Sequence, residues 1–221
     1  MNLLKLTARI LLFRFTLEDI QSFRWPHLVF GLFGTWIAGM GRYWDSPNAS
    51  LFQHLGLGSV IYVFVLSALL MFFIWAAGSS HLTYFRMLTF VSLTSFPAIL
   101  YAIPIEQFST IETATTVNAR FLAIVALWRV GLLVRFTQLI GPMRWLTAVI
   151  TSLVPLMAIV AGLTSLNLHK VVFDVMAGFR EANPENSSYM ILMTITYLSI
   201  FAIIPVLIAF ACIVYTRRKY R

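Results

Sequence analysis

Between Asn118 and Ile140 the chain reads NARFLAIVALWRVGLLVRFTQLI, a run apolar enough to cross a bilayer that nevertheless carries Arg129 close to its middle. A charge at that depth costs roughly 2.5 to 3.5 kcal/mol even on the lenient insertion scale. No Asp or Glu lies inside any other apolar run of the sequence. The guanidinium must therefore be received by a freed backbone carbonyl, by an anion or lipid phosphate, or by another chain. Any fold for this sequence has to supply one of these three.

With 60% hydrophobic and 11% charged residues over 221 positions, the chain cannot hide its apolar surface in one water-soluble core. The expected class is an all-α membrane protein, a bundle of six transmembrane helices preceded by an N-terminal amphipathic interfacial helix. The interfacial helix occupies residues 1–24 and a single bundle occupies 25–221, with spans at about 27–44, 55–77, 84–105, 119–140, 145–166 and 189–215. The net charge of +8 does not point to nucleic acid, because the basic residues sit at the ends of apolar runs and form no stripe. Cys212 is the single cysteine, so no internal disulfide or cysteine metal cluster is available.

In the first segment Leu3, Leu6, Ile10, Phe13, Leu17 and Ile20 recur at helical spacing and define one apolar stripe. Such a helix rests either in the membrane interface or against the bundle. Trp25-Pro26 ends it and opens the next helix. In the first span Gly31, Gly34 and Ala38 form a close-packing face that lets a neighbouring backbone approach, inside the bundle or at a dimer seam. The second span, rich in Phe64, Phe72, Phe73 and Trp75, reads as largely lipid-exposed. Pro97 and Pro104 break the third span, and Pro155 and Pro205 are the corresponding positions in the fifth and sixth. A Thr-rich link covers residues 106–117. In the long polar connection 167–188, Val172, Val175, Met176 and Phe179 have the spacing of a short surface helix.

Six spans place both termini on one side. Ten Lys or Arg fall there (Lys5, Arg9, Arg14, Arg24, Arg86, Arg144, Arg217, Arg218, Lys219, Arg221) against four opposite (Arg42, Arg120, Lys170, Arg180). The positive-inside rule then puts both termini in the cytoplasm, and the expected location is a bacterial inner membrane.

The candidate lipid- or anion-binding residues are Arg129, Trp128, Arg135, Ser95 and Thr94. Arg129 and Arg135 are six residues apart, about 240° around a helix, so they do not share one small ligand. Arg135 lies near the end of its span and can snorkel. Pro97 and Pro104 free carbonyls near Leu93 and Leu100 that are natural acceptors for Arg129, while Glu106, at the outer end of the third span, is the closest acidic candidate but differs in depth by more than a helical turn. The four histidines lie at span ends or in loops, and no catalytic, metal-binding or nucleotide-binding motif is present. No cofactor is expected, and the chain reads as non-enzymatic. Its expected partners are membrane lipids and a partner membrane protein or a second copy of itself.

From Tyr84 to Gly162 the sequence resembles the Yip family, the Ypt-interacting-protein-like integral membrane proteins. The likeness is carried by Thr-Phe-Val-Ser-Leu-Thr-Ser-Phe-Pro97 with a second proline after it, then by Ala126-Leu127-Trp128 and Gly131-Leu-Leu, a tight turn and a further apolar span. The resemblance implies a non-catalytic helical bundle, and some eukaryotic members are associated with small GTPases and vesicle traffic. That family usually has five spans and a soluble N-terminus, whereas six spans and an amphipathic helix are expected here. A scaffold or accessory subunit binding lipid or partner helices is the function this implies. The alternative is a small transporter or channel for an anionic solute with its site near Arg129.

Overall fold

The computed structural model describes residues 2–41, 43–44, 50–79, 81–165 and 187–219. The described residues contain helices and turns but no strand: α1 (Leu3–Leu11), α2 (Leu17–Gln21), α3 (Trp25–Gly41), α4 (Leu51–His54), α5 (Leu57–Ala76), α6 (Tyr84–Leu93), α7 (Ile111–Ile140), α8 (Trp145–Ser165) and α9 (Ser187–Lys219). Two short 3-10 helices, Phe96–Ala102 and Ile105–Gln107, separate α6 from α7. Five segments among the described residues are long and apolar enough to cross a membrane: Leu57–Ala76, Tyr84–Ala102, Thr116–Ile140, Trp145–Thr164 and Thr196–Lys219. The 17-residue α3 is shorter than these. At about 1.5 Å per residue it rises roughly 25 Å, against about 30 Å of hydrocarbon in a typical bilayer.

The N-terminal segment is two helices where the periodicity predicted one. Phe13 adopts a left-handed backbone (φ 60°), an uncommon conformation for a bulky residue, and it turns the chain after α1. A capping box then starts α2: Thr16 Oγ1 accepts from the Asp19 amide while the Thr16 amide donates to Asp19 Oδ2 at 2.9 Å. Asp19 is buried, and Arg9 Nη2 meets the same carboxylate oxygen at 2.9 Å. Of the apolar stripe, Leu6, Ile10 and Ile20 turn inward while Phe13 is exposed; with Phe15, which lies off the stripe, they are fully buried in one core with Leu70, Ile74, Met87, Phe90, Leu132 and Phe136. Phe90 stacks on Phe136 at 4.2 Å between centroids, and Phe15 lies beside Phe90 at 5.9 Å.

The small-residue face of α3 packs within the bundle. An ideal Cβ on Gly31 would lie 2.8 Å from Ser92 Cβ, and one on Gly34 would lie 2.5 Å from the Phe96 ring. Ala38 is buried on the same helix. At the other end of α3, Gly39 meets Ser59 and Gly56 at the start of α5. Helices α3 and α6 run parallel, since Trp25 touches Phe85 while Gly31 faces Ser92 and Gly41 faces Ala102.

The four prolines differ in what they do. Pro97 sits in the first turn of a 3-10 helix after α6 has ended, and Pro104 caps the next one. Pro155 and Pro205 lie inside α8 and α9, which run on through them. The Thr-rich link is helical rather than loose, because Thr110 caps α7 by accepting from the Thr113 amide, so α7 extends to 30 residues. The surface helix expected within 167–188 falls almost wholly outside the described residues, as do Arg42, Lys170, Arg180 and the side chain of Glu106.

A second, smaller core joins Ala77, Met143, Ala148, Val154 and Phe210. The C-terminal helix is held there by Arg217, whose Nη2 donates to the Gly141 carbonyl at 2.6 Å. That carbonyl ends α7, so the cation also meets the negative end of the helix dipole. Ser79 Oγ donates to the neighbouring Ile140 carbonyl at 3.1 Å.

Candidate functional site

On α7 the residues Val125, Leu132, Leu133, Phe136 and Ile140 are buried. Taking 100° per residue from Trp128, these fall between about 40° and 140°, and Arg129 falls at about 100°, in the centre of that inward stripe. Its apolar neighbours on the stripe are buried, whereas Arg129 is only partly buried. The described residues hold no hydrogen-bond or ion-pair partner for its guanidinium; the ion pair between Arg9 and Asp19 is elsewhere. In particular Arg129 does not donate to the carbonyls of the proline-broken segment. Leu100 O instead accepts from the Ile103 amide, a bond the 3-10 geometry supplies.

The register of the opposing helices fixes what lies level with it. Phe136 of α7 stacks on Phe90 of α6, and the two helices run antiparallel, so seven residues outward on each brings Arg129 roughly level with Pro97. None of the seven residues of the 3-10 helix Phe96–Ala102 is fully buried. Arg129 therefore lies on the inward stripe of α7, at the level of a 3-10 segment that is itself only partly buried.

Thr94 and Ser95 border the break, but their hydroxyl protons are committed locally: both are buried and both donate to the Val91 carbonyl, at 3.0 and 3.1 Å. Thr35 Oγ1 of α3 donates to the Gly31 carbonyl of its own helix at 2.9 Å and lies 3.4 Å from the Ser92 carbonyl of α6. Trp128 has a positioning role that its sequence does not reveal. Its Nε1 donates to the Leu11 carbonyl at 2.9 Å, and one turn further an ideal Cβ on Gly131 would lie 3.2 Å from the Phe13 ring. The end of α1 thus docks at the level of Arg129, on another face of α7. Arg135 is exposed on nearly the same face as Trp128 and does not join Arg129. Sequence reasoning also missed the capped and paired Asp19, although Thr16-x-x-Asp19 carries the capping-box signature.

Further toward the C-terminal end of α7, Thr137 Oγ1 and Ser152 Oγ pair at 3.0 Å between α7 and α8. The adjacent Thr151 hydroxyl is buried without a partner. Pro155, four residues on, brings no amide to the Thr151 carbonyl.

These helices define the class: an all-helical chain with five segments able to cross a membrane, the architecture of an integral membrane protein. Neither family models, nor curated proteins, nor solved structures give a match to this chain.

Proposed function

We propose that the chain is a non-catalytic integral membrane protein of Yip-like type, acting as a scaffold or accessory subunit that binds lipid or partner helices. In this reading α3 makes a sixth, short crossing, and both termini lie on the cytoplasmic side of a bacterial inner membrane. The Lys and Arg distribution supports that orientation. The observation that carries the functional reading is the outer face of α9, where Tyr197, Leu198, Phe201, Ile204 and Ile208 are all exposed, Phe201 by 77%. A span this bare inside its own chain offers a surface to lipid tails or to another helix.

The partnerless Arg129 supports the alternative of an anion pathway, and reconstitution separates the two. Purified protein in liposomes loaded with phosphate or chloride is expected to release neither faster than protein-free liposomes do. Anion flux that depends on Arg129 would reject the scaffold reading and install the transporter in its place.

A further inference from the structure

We propose that Arg129 is the head-group site for the phosphodiester of an anionic glycerophospholipid, whose apolar body lies against α7 and the partly exposed 3-10 helix Phe96–Ala102. This deepens the lipid-binding part of the function proposed above and rests on it.

Three observations converge on the ligand. Arg129 faces the bundle on the buried stripe of α7, is only partly buried, and has no polar partner among the described residues. A guanidinium placed this way demands an acceptor, and its planar fork matches two oxygens of a phosphate.

The second observation is depth. The Leu11 carbonyl and the Phe13 ring dock on α7 at Trp128 and Gly131, on either side of Arg129 along the helix. The same N-terminal segment carries exposed Lys5, within α1, and exposed Arg14, just after it. Exposed cations belong among head groups rather than tails, so on this flank the polar boundary of the membrane reaches the level of Arg129.

The third is the chemistry of the surroundings. Thr94 and Ser95 have spent their protons on Val91, and the stripe around Arg129 is Val125, Leu132 and Leu133. One cation set among apolar side chains balances a single negative charge attached to an apolar body. A hydrated free anion would give up its water for one donor group and no more.

The test uses the full chain in neutral detergent micelles and follows thermal unfolding with added phosphatidylglycerol, with diacylglycerol of the same chains, or with inorganic phosphate. Phosphatidylglycerol is expected to raise the melting temperature of the wild type, while diacylglycerol and inorganic phosphate leave it in place. In Arg129→Gln the same rise should need roughly tenfold or more lipid, the loss expected when a charge-assisted bond is removed. Arg129→Lys keeps the charge without the fork and is expected to respond between the two. Arg144→Gln, at an exposed turn, should respond as wild type.

An equal response of Arg129→Gln and wild type overturns the proposal, as does an equal response to diacylglycerol. A response to inorganic phosphate overturns the lipid as the source. If Arg129→Gln does not fold, the Lys variant and the wild-type comparison of the two lipids decide the matter. Anion flux would sink the scaffold reading while the lipid response stands, and a lost lipid response with no flux would remove this site while leaving the scaffold.

Discussion

Replacing Gly31 by alanine tests the α3–α6 contact, because the same substitution at Gly162 isolates everything except that contact. A Cβ at Gly31 would lie 2.8 Å from Ser92 Cβ, 3.0 Å from the Leu93 amide nitrogen and 3.1 Å from the Ser92 carbonyl carbon. Two of these atoms are backbone, so rotating a side chain does not relieve the clash. The helices must separate, which also widens the 3.4 Å approach of Thr35 Oγ1 to the Ser92 carbonyl. Forcing a methyl group into a filled contact costs about 1 to 3 kcal/mol. Alanine returns at most about 0.5 to 1 kcal/mol as the better helix former, and less here because helices persist in micelles after tertiary unfolding. The clash therefore wins by about 1 to 2 kcal/mol. At Gly162 nothing lies within 4 Å of the added carbon, and only the gain remains.

By the scaling for chains of 150 to 250 residues, each kcal/mol moves the midpoint by about 2 to 4 °C. Thermal unfolding of the two variants in detergent, followed by tryptophan emission, should place Gly31→Ala several degrees below wild type and Gly162→Ala at or slightly above it. Gly31→Ala melting at or above Gly162→Ala would refute the close approach of α3 to α6, and with it the assignment of the small-residue face to the interior of the bundle.

Three further outcomes follow from individual contacts. Trp128→Phe removes the bond to the Leu11 carbonyl and should cost about 0.5 to 1.5 kcal/mol, with faster hydrogen exchange confined to residues 3–11; exchange unchanged there would mean α1 is held by its apolar side alone. Asp19→Ala removes both the capping acceptor and the partner of Arg9, and should lower stability by about 1 to 2 kcal/mol, read as a lower melting midpoint. Arg217→Gln should release the end of α9 from Gly141, so that trypsin cleaves after Arg218 faster than in the wild type; an equal cleavage rate would show that Phe210 and the small core hold this end without it.

Five of the six expected spans were legible because a run of about twenty apolar residues has few other uses, whereas the first, α3, is too short to stand among them; its interior face was legible because glycines at that spacing serve close approach. Other features carry no such signal. The left-handed Phe13 divides the N-terminal stripe into α1 and α2, yet nothing in the identity of a phenylalanine announces a positive φ. Threonine disfavours helix interiors, so the stretch 106–117 read as a link; Thr110 acts instead as a cap and adds a helical overhang to α7. The bond from Trp128 to Leu11 joins residues 117 positions apart and follows from no local pattern.

Arg129 shows what depth in a sequence means and where it misleads. Position within Thr116–Ile140 places it about 16 Å from the C-terminal end of the span, where a guanidinium is costly for any membrane that covers the whole of α7. At 30 residues, however, α7 is about 45 Å long and exceeds the hydrocarbon thickness, so its length alone does not fix where the boundary lies. In the lipid-site proposal that level is set by the N-terminal segment, which is docked at Trp128 and Gly131 with Lys5 and Arg14 exposed. A boundary at the docking level lowers the cost of the charge without supplying it a partner. The described residues do not supply one either, and the broken helix opposite spends its hydroxyl protons on its own backbone. What remains unsatisfied is one partly buried positive charge on the inward stripe of α7, which is a reason for the ligand proposed above to come from the membrane.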